Sequence, residues 1–259
     1  MAVVELKKHV PSGTIILNRR ETRNALSRET MAELRQAFED FRQERKVRAV
    51  ILTGAGEAFC SGMDLDEMRV TSKQPDAQSQ WYNDAVQYKE LLESMLRFPK
   101  PIIAAVDGAA VAGGAGLVLA SDIVVAGEKA SLGFPEPRRG LVAGIVAPLL
   151  TFRIGAGYAA NLLLSARTID ANEAMRVHLF HELVKSDLVW ARANALAQEC
   201  AKSAPESLLL TKRMVNENIG EHLSVLFSAG AAASATARTT EAAQEGLDAF
   251  FEKRSPNWP

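Results

Sequence analysis

Four short runs dominated by aliphatic residues constrain this chain more than any other feature: TIIL (14–17), AVIL (49–52), IIAAV (102–106) and DIVV (122–125). Gly, Pro or Asp bounds them. They are too short for buried helices and lack the polar alternation of half-exposed strands. They read as strands covered on both faces, which requires helices to cover them. A strongly amphipathic segment between the first two supplies one. Ser27 can cap it, and Met31, Leu34, Phe38 and Phe41 recur at helical spacing. Its basic end, RQERKVR (42–48), suits the negative end of a helix dipole as well as it suits a phosphate.

Residues 70–95 are polar and predict a mobile loop leading into a helix from about Tyr82 to Leu96, a length often used for lids and binding loops. Beyond residue 141 the pattern is mostly helical. Pro205 opens a helix to about Asn218, and Leu223–Phe251 predicts a second, long and Ala-rich. The chain therefore divides into an α/β core over residues 1–200 and a helical C-terminal region over 201–259. Its 259 residues bury a core without metals or disulfides. A net charge of −1 argues against binding nucleic acid through bulk charge. Cys60 and Cys200 make neither a disulfide framework nor a zinc set. No secretory signal is evident at the N-terminus, and no apolar stretch reaches the roughly 20 residues that span a bilayer. The expectation is a cytoplasmic protein with no membrane partner.

Two apparent motifs fail on context. IGAGYAA (154–160) imitates a dinucleotide fingerprint, but the preceding APLLTFR looks helical where a strand is required. His178 and His181 could share a helical face, yet no further ligand stands at zinc-like spacing.

Three segments carry more. TGAGEAFCSGMDL (53–65) runs from a strand end through a Gly turn. AAVAGGAGLVLASD (109–122) follows a strand and can open a helix at its Gly pair. SLGFPEPRRGLV (131–142) sets Glu136 between two prolines. Gly62 and Gly113 each leave a neighbouring backbone N–H uncovered, and two such groups converging form an oxyanion hole. A helix starting near Gly114 adds its positive end. A carboxyl in a rigid apolar turn suits proton transfer.

In order, these segments resemble the crotonase (enoyl-CoA hydratase/isomerase) superfamily. The resemblance begins at LNRRETRNAL (17–26), closes at EGLDAFFEKRSPNW (245–258) and covers essentially the whole chain. It implies an α/β fold, a spiral of ββα repeats whose helical C-terminal region builds a homotrimer or a dimer of trimers. It also implies an acyl-CoA thioester as substrate, with no separate cofactor and no metal. The thioester oxygen would sit between the N–H groups of Met63 and Gly113, each worth about 3–4 kcal/mol to the enolate. Glu136 would transfer the proton. Arg23, Ala25, Ala58, Cys60, Asp64 and Leu65 match the shelf for adenine and pantetheine, and Lys253 matches a contact to the CoA phosphates.

The chain departs from that family at Gly116, where typical hydratases carry the first of two glutamates. A single carboxylate remains. The resemblance then implies an enoyl-CoA hydratase, with a Δ3,Δ2-enoyl-CoA isomerase and a non-catalytic CoA-ester- or RNA-binding protein as alternatives. Arg138 and Arg139 are candidates to face a substrate carboxylate. His178 stands where the family usually has a turn glycine, a change expected to alter only a helix end.

Overall fold

The structure, a computed structural model, describes residues 2–258, with the side chains of residues 217–221 outside the description. The strands form two sheets. The larger holds β1 (Val4–His9), β2 (Ser12–Leu17), β3 (Ala49–Gly54), β5 (Ile102–Val106), β7 (Ile123–Gly127) and β10 (Glu182–Val184), in that order. Only the β1–β2 pair is antiparallel. The smaller holds β4 (Ala58–Cys60), β6 (Ala109–Val111), β8 (Ser131–Gly133) and β9 (Thr168–Asp170). A strand of the large sheet is followed by one of the small sheet three times over, as β3–β4, β5–β6 and β7–β8. That repetition winds the chain into a spiral of ββα turns.

The apolar runs form strands because both their faces are covered. Ala49 and Ile51 of β3, with Ile103 and Ala105 of β5, pack against α7 (Val189–Ala201) through Val189, Ala193 and Ala197. The alternate residues Val50, Leu52, Ile102 and Ala104 belong to the main core. There they join the apolar stripe of α1 (Arg28–Gln43), including Met31, Leu34, Phe38 and Phe41. Ser27 caps α1 as expected, accepting the Thr30 N–H. The fourth run begins one residue later than the sequence suggests. Asp122 precedes β7, accepting the Ile102 N–H at 2.8 Å and pairing with Lys212 at 2.7 Å.

The expected helix to Leu96 is present but starts earlier, at Ala77, and the loop expected before it shrinks to a short turn. Residues 70–95 fold as the end of α2 (Leu65–Thr71), that turn and α3 (Ala77–Leu96). Asp64 starts α2 by accepting the N–H groups of Asp66 and Glu67. The polar residues that suggested a loop are the outer faces of these helices. Trp81, Ala85, Tyr88, Leu92 and Met95 form the buried stripe of α3. After α4 (Gly113–Ala120), α5 (Val146–Ser165) carries IGAGYAA inside it, kinked at Gly155, so no strand precedes those glycines. Past α6 (Ala171–Arg176), His178 adopts φ 61°, in the left-handed region that favours glycine.

The C-terminal helices divide later than the sequence predicts. α8 runs unbroken from Pro205 to Ala237, because its buried positions continue through Leu223, Phe227, Ala231 and Ala235. The break falls before α9 (Glu241–Glu252), where Thr240 accepts the Ala243 N–H. No helix among the described residues is long and apolar enough to cross a membrane.

Candidate active site

The small sheet, the start of α4, a 3-10 turn at Glu136–Arg139 and the C-terminal helices enclose a cavity of about 390 Å³. Its polar chemistry begins at two backbone N–H groups. Leu26 and Met63 form an isolated parallel bridge. In it Leu26 donates to the Gly62 carbonyl at 2.8 Å and accepts from Asp64 N–H at 3.1 Å. A parallel bridge of this kind uses only one side of the segment, so the Met63 N–H points away from Leu26. Gly62 has φ 92°, and a Cβ there would lie 2.9 Å from both the Val111 carbonyl oxygen and the Ala112 Cβ. Glycine thus lets the Met63 segment press against the start of α4. The second N–H is that of Gly113, the first residue of α4, which has no intrahelical acceptor. Ala112 holds that peptide with φ 51° and ψ −119°, a strained setting for a residue with a Cβ.

Glu136 opens the 3-10 turn behind Pro135, and only 9% of its surface is exposed. Burial raises its carboxyl from the usual 4.5 to about 7, against smaller lowering effects from its own backbone and from Arg139. Its Oε2 is buried with no hydrogen-bond partner among the described residues. A buried, unpaired carboxylate oxygen on a cavity wall, titrating near neutrality, is equipped to take up and return a proton.

Arg139 lies one turn on. It lines the cavity, stacks its guanidinium 4.8 Å from the Phe250 ring centre, and leaves its Nε buried and unpartnered. Arg138, by contrast, reaches outward to the Ser165 carbonyl at 3.2 Å. The two arginines that the sequence left equivalent therefore differ, and only Arg139 faces the cavity. Arg238 lines it too, near the Arg28–Asp84 pair, and burial lowers its guanidinium to about 10.

The Enoyl-CoA hydratase/isomerase family model matches residues 12–259. The chain belongs to this family. It is 41% identical over 253 residues to a Thermus thermophilus protein named "Putative enoyl-CoA hydratase", covering 97% of this chain and 98% of that one. It is 33% identical to an enoyl-CoA hydratase of Mycobacterium tuberculosis, over 99% of this chain and 96% of the relative. The crystal structure of an enoyl-CoA hydratase from Mycobacterium avium superposes with a TM-score of 0.89 at 30% identity, over the whole of both chains. The fold of this enoyl-CoA hydratase/isomerase family member is thus the α/β crotonase spiral.

Of the residues singled out in the sequence, Met63, Gly113, Glu136, Arg23, Ala25, Ala58, Asp64 and Leu65 all line the one cavity. Their backbones are tightly held. Arg23 and Asn24 adopt φ of 53° and 57°, and the Asn24 amide donates to the carbonyls of Ala55 and Ala58. The Asp64 side chain is already committed, since it caps α2 and pairs with Arg19 at 2.8 Å. It can shape the wall but has little capacity left for a ligand. Cys60 is fully buried outside the cavity wall, and burial pushes its thiol up to about 12. Lys253 is exposed at the end of α9, also off the wall. His181 accepts the Val124 N–H through Nδ1, and among the described residues no metal-binding cluster of His, Cys, Asp and Glu occurs.

Sequence reasoning missed Tyr88. It stands in the apolar stripe of α3, where an aromatic residue reads as core. Yet it lines the cavity, and its hydroxyl donates to the Gly113 carbonyl at 2.6 Å. The available signal was indirect. Gly116 has no side chain, so something else must fill that room.

Proposed function

We propose that this protein is an enoyl-CoA hydratase that adds water across the double bond of a 2-enoyl-CoA thioester using a single carboxylate. The observation that carries the reading is Glu136, buried and unpartnered on the wall that also holds the N–H groups of Met63 and Gly113. In this reading the thioester oxygen rests between those two N–H groups. Ionised Glu136 takes a proton from water as the water oxygen bonds to the β-carbon. The π pair moves through the α-carbon onto the thioester oxygen, and the hole stabilises the enolate. Glu136 then returns its proton to the α-carbon, which restores the carboxylate. Every atom comes from water or substrate, so the cycle calls for no cofactor beyond the CoA that the substrate carries.

The wall at Arg23, Ala25, Ala58 and Leu65 is assigned to the pantetheine and adenine. Lys253 lies outside the cavity and is assigned to the CoA phosphates at its mouth. We further assign the enzyme to the cytoplasm. The C-terminal region 201–259 would act as the assembly region of a homotrimer or a dimer of trimers. In support, α8 carries exposed Leu210, Met214, Val215, Val225 and Leu226.

Glu136→Gln keeps the side chain's size and removes the base. Crotonyl-CoA hydration, followed by loss of the enoyl absorbance, should fall by at least about 100-fold while the thioester still binds. Full activity in that variant would sink the assignment. The absence of a side chain at Gly116 favours a second reading, since one carboxylate suffices to move a proton between the α- and γ-carbons. Separate incubations with 3-hexenoyl-CoA and 2-hexenoyl-CoA, scored for 3-hydroxyacyl-CoA by mass spectrometry, separate the two. Product from the 2-enoyl ester supports hydration, and 2-enoyl ester accumulating without it supports isomerisation.

A further inference from the structure

We infer that the Tyr88 hydroxyl takes the place of the missing glutamate and holds the attacking water together with Glu136. The inference rests on the hydratase reading and adds a second catalytic residue to it.

Position comes first. A Cβ built on Gly116 would lie 1.9 Å from the Tyr88 Oη, far closer than an unbonded carbon and oxygen can come. The phenol therefore already fills the space into which a side chain at 116 would project. Tyr88 belongs to α3 and Gly116 to α4, so the polar atom has been moved from one wall to the helix facing it. Tyr88 and Glu136 both line the cavity, together with Gly113.

Hydrogen-bond direction then defines the role. A phenol has one proton and two lone pairs. The Tyr88 proton is committed to the Gly113 carbonyl at 2.6 Å. What the oxygen can offer the cavity is acceptor capacity alone. Burial raises this hydroxyl well above its usual range, and the nearby Cys60 and Glu136 raise it further, so it stays neutral. Ionised Glu136 is likewise an acceptor. A water between two acceptors donates both its hydrogens, and its lone pairs are left for the β-carbon. On attack, the hydrogen facing Glu136 is transferred. The hydrogen facing Tyr88 stays on the oxygen and becomes the hydroxyl hydrogen of the product. Two carboxylates would present the same acceptor pair, which is why a tyrosine can replace one of them here.

The Gly113 carbonyl sits beside the proposed oxyanion donor, so support of the hole is the competing role for Tyr88, and the test separates the two. Tyr88→Phe removes one oxygen and keeps the ring that fills the core. Crotonyl-CoA hydration measures the water step. Binding of acetoacetyl-CoA, followed by its enolate absorbance, measures the hole without any attacking water. We expect kcat to fall roughly 10- to 100-fold, the size of losing one hydrogen-bond acceptor at an enclosed polar group. KM and acetoacetyl-CoA affinity should stay within about 3-fold, and kcat/KM should keep its rise with pH, because Glu136 remains the base. Acetoacetyl-CoA binding that weakens in step with kcat would assign Tyr88 to the hole and overturn the inference. So would an unchanged kcat. If the unmodified protein hydrates no 2-enoyl-CoA, the hydratase reading itself fails and this inference falls with it. That outcome is read from the unmodified protein alone.

Discussion

Glu136 sets stability and activity against each other. Its carboxyl titrates near 7 when folded and near 4.5 when unfolded, because burial penalises the charge. Below about 4.5 it is protonated in both states and makes no difference between them. From 4.5 to 7 the unfolded chain ionises first, so rising pH favours unfolding, and above 7 the whole cost is present. Glu136→Gln should therefore be more stable than the unmodified protein above pH 7, by at most about 3 kcal/mol, and equal to it below pH 4.5. Melting temperatures across pH 4–9 test this, and a gap that does not grow with pH would refute it. Catalysis needs the opposite form. The base must be ionised, so kcat/KM should rise through an apparent pKa of about 7. Arg139 lowers that value by its charge. Arg139→Met should move the midpoint of the pH–rate profile upward, and a midpoint unmoved or lowered would show that the guanidinium does not act on Glu136.

At the scale of elements, the contact between α3 and α4 decides how this site differs from a two-carboxylate one. Gly116→Ala places a Cβ against the Tyr88 oxygen at 1.9 Å and should destabilise the protein by about 1–3 kcal/mol, the usual range for overpacking. With Tyr88→Phe the nearest remaining atoms are the ring Cζ and the Val146 Cγ2, both at 3.2 Å, which small shifts can relieve. The two substitutions should therefore be non-additive, with the double variant more stable than the sum of the single effects predicts. Additive denaturation free energies would mean that the helices already give way elsewhere.

The same helices mark where the sequence is legible. β3 and β5 are readable because covering both faces leaves an unbroken aliphatic run. β1, VELKKH, is not, because an edge strand carries charges that look like loop. Met63, Gly113 and Glu136 could be singled out because glycines and prolines mark their segments and those segments resemble the family's, and the three line one cavity. Tyr88 could not, because its role depends on a vacancy 28 positions away on another helix.

For the whole molecule, the C-terminal helices help to line the candidate cavity as well as offering an outer surface. Ser234, Arg238, Phe250 and Phe251 line the cavity. α8 lies along α3, and the Asn216 amide donates to the Leu96 carbonyl at 2.9 Å. α8 thus backs the helix that carries Tyr88, while its outer side leaves Met214 73% and Val225 71% exposed. Large apolar side chains this open on one long helix suit the contact between copies proposed above. The proposed homotrimer or dimer of trimers predicts a mass in solution of three or six times 28.0 kDa by light scattering. Met214→Glu with Val225→Glu places charges where the copies would meet and should shift that mass toward the monomer. Because the substituted positions lie away from the cavity, loss of crotonyl-CoA hydration on dissociation would be transmitted by α8, which lies along α3 and lines the cavity through Ser234 and Arg238. We expect hydration to fall at least about 10-fold while circular dichroism keeps the helical signal of a folded chain. A folded monomer with full activity would show that the single chain holds Tyr88 in place unaided. An unchanged mass would show that this face of α8 is not where the copies meet.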